Sequence, residues 1–437
     1  MSPADFRRYS LFYLGYFGAL GAFTPYIGRW VVAQGHGGYV VGAALALWYG
    51  GRMLAPPTWS LWSARSAVPG RWLVAGCLLA LLGFAALAGA TGVVPIFLAI
   101  AWFALFFNAV MPQFEAMTLS ALAHRSHEYG RIRVWGSISF LVVAASYGWL
   151  LDRLGEGAFV WLTLPWLALT TAAAWLHRHD RPHHPRSTGS SSPPPPAAAM
   201  SAADGQPAHS APAATNSDSD SGVGANARDA LRAPRPLWRR PGVRSLLLVT
   251  LLMQLGFGPF YVFYTLHLQA QGHDGTAVGV LWAIGVICEV AMFWLAPKLL
   301  QRFGAWRVMA TCMAFTVARW LMVAWLGPSF GWMAVAQTGH ALSFAAFHAG
   351  CMRRMAELFP KRHDMVAAQG LLYGFSGGIG GVLGAGLASV AWQHGGGRWA
   401  FVAAALATLV GCIVLLASAR SFRQRISSGQ RTEEYVE

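Results

Sequence analysis

Seven ionisable side chains within or at the edge of the long apolar runs are the candidates for chemistry: Arg52, Glu115, Arg133, Glu289, Arg319, His340 and His348. Their types define a narrow chemistry. An arginine fork grips a carboxylate or neighbouring hydroxyls through paired hydrogen bonds. A carboxyl or imidazole held in apolar surroundings exchanges a proton near neutral pH. The companions of covalent catalysis are missing from the sequence: it has no nucleophile–base pair, no metal-ligand spacing and no phosphate loop. "GFSGGIGGVLGAG" resembles a dinucleotide loop only in composition, since no strand precedes it.

The elements that must position these groups are membrane helices. The 437 residues are 55% hydrophobic and 11% charged, whereas soluble proteins average roughly 25% charged. A span needs about 20 apolar residues, and twelve fit, at roughly 9–33, 38–63, 72–91, 93–120, 132–151, 157–177, 244–270, 275–297, 307–326, 329–351, 364–392 and 398–419. The runs lack the polar alternation of a barrel. The expected class is an all-α polytopic membrane protein of twelve transmembrane helices in two six-helix, pseudo-symmetric halves. A charge at mid-membrane costs roughly 2.5–3.5 kcal/mol or more, so each of the seven groups must be paired, face a wet cavity, or both.

Residues 182–240 differ in kind. "STGSSSPPPPAAAMSAADGQPAHSAPAATNSDSDSGVG" holds almost no large apolar side chain and cannot offset its ordering entropy. It is expected to be a disordered linker between helical bundles 1–181 and 241–420, with a tail at 421–437. About 27 of the Lys and Arg residues fall in the terminal and even-numbered connecting segments, which predicts that both termini lie on the cytoplasmic side of the membrane. The formal charge of +15 follows from that topology; the basic residues form no single patch, so no nucleic-acid partner is expected. The five cysteines lie in apolar runs and read as small apolar fillers. No cofactor and no metal are expected, and the chain is expected to be a monomer in the bilayer.

The chain repeats itself. "VAQGHGGYVVG" at Val32–Gly42 returns as "QAQGHDGTAVG" at Gln269–Gly279, about 237 residues on. Gly21, Phe23, Gly42 and Ala46 match Gly258, Phe260, Gly279 and Ala283 at the same offset. The phrase reads as the relic of a duplication, outside any site. The offset also sets Arg52 against Glu289, opposite charges at equivalent positions of the two halves. Duplicated halves joined by a long loop suit a midplane site between them.

At this point the residues resemble the major facilitator superfamily, and within it the permeases of the 3-phenylpropionate branch, relatives of the lactose permease. The stretches are "GYFGALGAFTPYIGRW", "RMLAPPTWSLWSAR", "YGRIRVWGSISF", "LLQRFGAWRVM" and "QTGHALSFAAFHAG". In "WSLWSARSAVPGR" Ala64 stands where the superfamily's loop motif carries an acid, and "LLQRFGAWR" lacks it too. The resemblance implies substrate contact at Glu115 and Arg133, with Asn108 and Gln254 lining the cavity. Arg52 is a second candidate anchor for an anion. A structural ion pair at Glu115–Arg133 and a pairing of Arg52 with Glu115 stay open. The resemblance further implies proton coupling at Glu289, with Arg319 tuning it and His340 relaying. In "QTGHALS", Gln337 and Ser343 replace a lysine and a glutamate of the relatives. His340 and His348, eight residues apart on one helix face, could instead serve helix–helix hydrogen bonds. Tyr16, Tyr26, Tyr261 and Tyr264 suggest an aromatic-lined cavity.

The function expected is proton-coupled import of a small organic solute, an aromatic carboxylate such as 3-phenylpropionate, by alternating access. Transport of sugars or nucleosides, export, and a sensor without flux are the alternatives; an enzyme is not expected.

Overall fold

The computed structural model describes residues 3–63, 65–122, 128–180, 242–359 and 362–427. The expected linker, the tail beyond 427 and Ala64 lie outside the described residues. Within a hydrocarbon medium every backbone polar group must be satisfied inside its own segment, and the chain answers with helices throughout.

The first half comprises α1 (Pro3–Ala33), α2 (Gly38–Ser63), α3 (Pro69–Ala85, extended by a 3-10 turn), α4 (Val93–Leu122), α5 (Tyr129–Leu154) and α6 (Ala158–Leu176). The second opens with α7 (Val243–Ala270), α8 (Gly275–Phe303) and α9 (Ala305–Trp325). Span α10 is a composite: Phe330–Thr338, a π-helical stretch Ala341–Ala346, then Phe347–Leu358. Span α11 begins at Arg362–Leu372 and passes through a second π-helical stretch, Tyr373–Gly380. The remaining helix, Gly381–Ser427, leaves helical geometry at Gly395 and Gly396, and α12 follows that break. Gly396 has φ 65°, open to glycine at no steric cost. An even number of alternating spans puts Pro3 and Ser427, the first and last described residues, on the same side.

Among the described residues, eight helical stretches are long and apolar enough to cross a membrane, and one of them, Ala368–Ala419, contains both α11 and α12. α1, α2 and α10 fall short of that measure. α1 and α2 are rich in Gly, Tyr and Trp, and π-helical geometry divides α10. Side-chain placement is inverted relative to a water-soluble core. Trp294 is 78% exposed and Trp161 65%, while Glu115, Arg133, Glu289 and Arg319 are buried. Apolar side chains face lipid because lipid offers them no penalty; the charges face inward because it does.

With no hydrophobic force between helices in lipid, close approach of small residues supplies the packing. Within the second half, Gly258 of α7 lies backbone to backbone with Gly384 of α11. Between halves the main contacts are α5 with α8, α2 with α11, and α1 with α7. The glycine-rich stretch of α11 belongs to this interface: Gly378 packs on Met53 and Gly381 on Tyr49, both of α2. Pro25, Pro56, Pro57, Pro112 and Pro259 all lie inside helices, where each removes a backbone hydrogen bond.

Candidate functional site

A pocket lies between the halves, lined from α5, α7, α8 and α10. α5 lends it Ser137 and Phe140; α7 lends Phe260 and Tyr261. α8 supplies Trp282, Gly285, Val286 and Glu289, and α10 supplies Gln337 and His340. Four aromatic rings and five polar or small groups thus face one space. Trp282 is held in place by donating its indole N–H to Thr265 at 3.1 Å. Gly285 keeps the space open, since a Cβ there would stand 3.1 Å from Gln337 Oε1 and 3.6 Å from His340 Cβ.

Glu289 and His340 meet on this wall. His340 Nε2 lies 3.3 Å from Glu289 Oε2, with both residues buried. A ring nitrogen and a carboxylate oxygen at that distance are within hydrogen-bonding reach when one of them carries a proton. The π-helical stretch begins directly after His340, a distortion frequent at functional positions. His340 also stacks on Phe344 at 5.4 Å between ring centroids. His348, farther along α10, faces α11, where Tyr373 Oη lies 3.4 Å from its Nε2. The open question about the two histidines therefore divides: His348 makes a helix–helix contact, and His340 faces the cavity acid.

Arg319 is wholly buried in α9. It donates from Nε to the Ala336 carbonyl at 2.8 Å and from Nη2 to Gln337 Oε1 at 3.1 Å. Its guanidinium stacks on Trp320 and Phe260, at 4.5 and 4.9 Å from their ring centroids. These contacts give it hold of the α10 segment that carries Gln337 and His340. Gln337, which the resemblance marked only as a substitution, is thus a cavity residue with an assigned partner.

Glu115 and Arg133 pair one layer away. Arg133 Nε stands 3.7 Å from Glu115 Oε1, an ion-pair distance too long for a hydrogen bond. Tyr129 donates its hydroxyl to Glu115 at 3.2 Å. Phe17 lies under the Arg133 guanidinium at 3.9 Å, with Tyr13 at 5.3 Å. Arg133 Nε and Nη1 are buried without a hydrogen-bond acceptor among the described residues. A buried guanidinium with spare donors is costly to leave unanswered. Arg133 sits one helical turn before Ser137 of the cavity wall.

The other expected residues take different places. Arg52 is half-buried on α2, close enough to act electrostatically on Tyr16. Asn108 is buried and donates from Nδ2 to Ala104 of its own helix at 2.8 Å. The Gln254 side chain packs against Gly380 of α11. None of these three lines the cavity. Of the four tyrosines, Tyr261 does; Tyr16 and Tyr26 donate to the carbonyls of Phe107 and Ala144. Ser137, Phe140 and Trp282 escaped sequence reasoning. The signal was present for Trp282, which falls two turns before Glu289 on one face of α8.

No three His, Cys, Asp or Glu residues gather among the described residues as a metal-binding group.

Comparisons with known proteins agree with this architecture. The sequence pattern of the MFS_1 like family matches residues 6–403. The "Probable 3-phenylpropionic acid transporter" of Escherichia coli (strain K12) is 27% identical over 359 residues, covering 80% of this chain and 82% of the relative. The "Maltose permease" of Geobacillus stearothermophilus is 25% identical over 425 residues, covering 95% of each. The solved structure of nucleoside transporter NupG superposes with a TM-score of 0.73 at 14% identity, covering 94% of this chain and 98% of that one. With a family pattern spanning most of the chain and transporters, not enzymes, on every side, this protein belongs to the MFS_1 like family and is a membrane transporter of the major facilitator type.

Proposed function

We propose that the protein imports a small aromatic carboxylate together with a proton, through alternating access around the cavity between its halves. The observation that carries the carboxylate is Arg133: a buried guanidinium, stacked on Phe17, with two donors left over one turn from the cavity wall. A carboxylate oxygen pair answers those donors in a bidentate fashion. The rings of Phe140, Phe260, Tyr261 and Trp282 offer a phenyl group edge and face contacts. The relative described as a probable 3-phenylpropionic acid transporter supports the same class.

The coupled proton resides on the Glu289–His340 pair. Protonation there removes a buried negative charge, and exposure of the cavity to one side or the other sets where the proton is taken up. Arg319 serves this pair through Gln337 and the α10 backbone. The excess of basic residues on the terminus-bearing face supports cytoplasmic termini in a bacterial inner membrane.

A second reading has its own support. The maltose permease relative covers nearly the whole chain, and Ser137, Glu289 and Gln337 are groups that bind hydroxyls. Sugar or nucleoside symport follows from that reading. A thermal-shift screen of the purified protein decides between them. Aromatic acids alone should raise the melting temperature. Stabilisation by sugars or nucleosides, with none by aromatic acids, would discard the carboxylate assignment.

A further inference from the structure

The phrase repeated at Val32–Gly42 and Gln269–Gly279 has a physical task. It places Gly38 and Gly42 at the start of α2, and Gly275 and Gly279 at the start of α8. Gly38 packs on the Trp392 ring, and Gly42 on the Ser389 side chain of α11. Gly275 packs on the backbone of Gly148, and Gly279 on the Ala145 carbonyl of α5. A Cβ at any of the four would collide with its neighbour. Small residues four apart let each helix cross a helix of the opposite half at close range. The two symmetry-related crossings join the halves on the face away from the chain ends.

Among the described residues, charge reinforces the α5–α8 crossing. Arg29 of α1, with a side chain 4% exposed, pairs with Asp152 at 2.9 Å and with Glu156. Asp152 in turn accepts the backbone N–H of Gly275, the first residue of α8, at 2.6 Å. The α8 cap, Asp274, accepts from Ala277. The amide orientation of Gln269 that satisfies both its atoms turns its oxygen to Arg29, at 3.1 and 3.3 Å. A cation of the first half thus reaches α7 of the second half directly, and α8 through Asp152. That carboxylate also lies at the positive end of the α8 dipole.

We infer that Arg29, Asp152 and Gln269 form the latch that keeps this face shut, and that breaking the Asp152–Gly275 contact is a step of the transport cycle. The inference rests on alternating access alone, not on the solute or the proton site. Opening this face must pull Gly275 from Asp152 and strip Arg29 of Gln269, so the latch sets the share of protein resting with the face closed. Arg29 and Asp152 are not among the residues lining the pocket at Glu289; they act by position.

The test uses a buried reporter. Val41, 0% exposed, packs on Gly28, the residue before Arg29 in α1. Val41→Cys is introduced into the full chain, and its maleimide labelling rate is measured in purified protein, with the five native cysteines as the blank. Adding Asp152→Ala should raise the rate at least roughly tenfold, the equivalent of one charge-assisted hydrogen bond. Gln269→Ala should move it in the same direction by a smaller factor. Glu156→Gln, whose residue touches Arg29 but no group of the second half in the contacts described, should change it least. Equal labelling with and without Asp152→Ala, in monodisperse protein of unchanged melting temperature, overturns the latch. If Asp152→Ala fails to fold, the half-buried Gln269 decides: an unchanged rate in Gln269→Ala overturns it equally. Labelling needs no solute, so the outcome is independent of the substrate assignment.

Discussion

Replacing Arg133 by lysine separates a binding residue from a structural ion pair. The substitution keeps the positive charge beside Glu115, so the 3.7 Å electrostatic contact survives in kind. It removes the planar fork, and with it the two donors on Nε and Nη1 that have no acceptor among the described residues. It also weakens the stacking on Phe17, now at 3.9 Å. A charge-assisted hydrogen bond contributes roughly 1.5–3 kcal/mol, and a desolvated cation–π contact about 0.5–2 kcal/mol. The lysine ammonium recovers part of both, leaving a net loss of about 2–3 kcal/mol, which is roughly 30- to 150-fold in Kd. Calorimetric titration of purified Arg133→Lys with 3-phenylpropionate measures that loss, and a melting curve in the same buffer monitors folding. Weakened binding with a melting temperature close to that of the unaltered protein is the expected result. Affinity within about threefold of the unaltered protein, against the 30- to 150-fold expected, would refute the argument and leave Arg133 and Glu115 as a structural pair, with Arg52 the next candidate.

Gly285→Leu should fill the cavity from α8, because its Cβ already meets Gln337 at 3.1 Å; uptake should fall to background while the melting temperature stays near normal, and undiminished uptake would place the solute elsewhere. Asp180, beyond the end of α6, gives a pH prediction. Burial pushes its carboxyl up, but hydrogen bonds and charge from His177 (2.8 Å) and Arg8 (3.0 Å) outweigh burial and hold it below the ordinary 3.8. A lowered carboxyl contributes stability above its unfolded value and loses it as pH falls through the folded one. Asp180→Asn should therefore lower the melting temperature at neutral pH, and the difference should vanish as the pH is taken below 3.8; a gap that persists under acid would contradict the ion-pair account.

The helical architecture was legible because lipid admits few alternatives: apolar runs of sufficient length must be helices, and buried charges must face inward. The grouping of Glu289 with His340 came from the family resemblance, and the 3.3 Å approach of the two side chains came from the structure. Which face of a helix meets a cavity was harder to read. Gln254 lies on a span that borders the cavity at Phe260 and Tyr261, yet its side chain turns to Gly380 of α11. In a helix apolar all round, periodicity does not distinguish a neighbour helix from a cavity. Arg29 was missed for a different reason. It lies four residues from the end of α1, where an arginine reads as an interfacial anchor, and its partners Asp152, Glu156 and Gln269 are more than a hundred residues away. Only the packing of α1 between α5 and α7 brings them together. The repeated glycines were visible as a spelling; their role needed the opposing surfaces of Gly148 and Ser389.

Whether the Glu289–His340 pair carries the coupled proton is decided by the substitution Glu289→Gln. In proteoliposomes, this variant should lose uphill uptake driven by an inward proton gradient, while exchange of labelled for unlabelled solute at equal pH continues. Uphill uptake at the unaltered rate in Glu289→Gln would contradict the account.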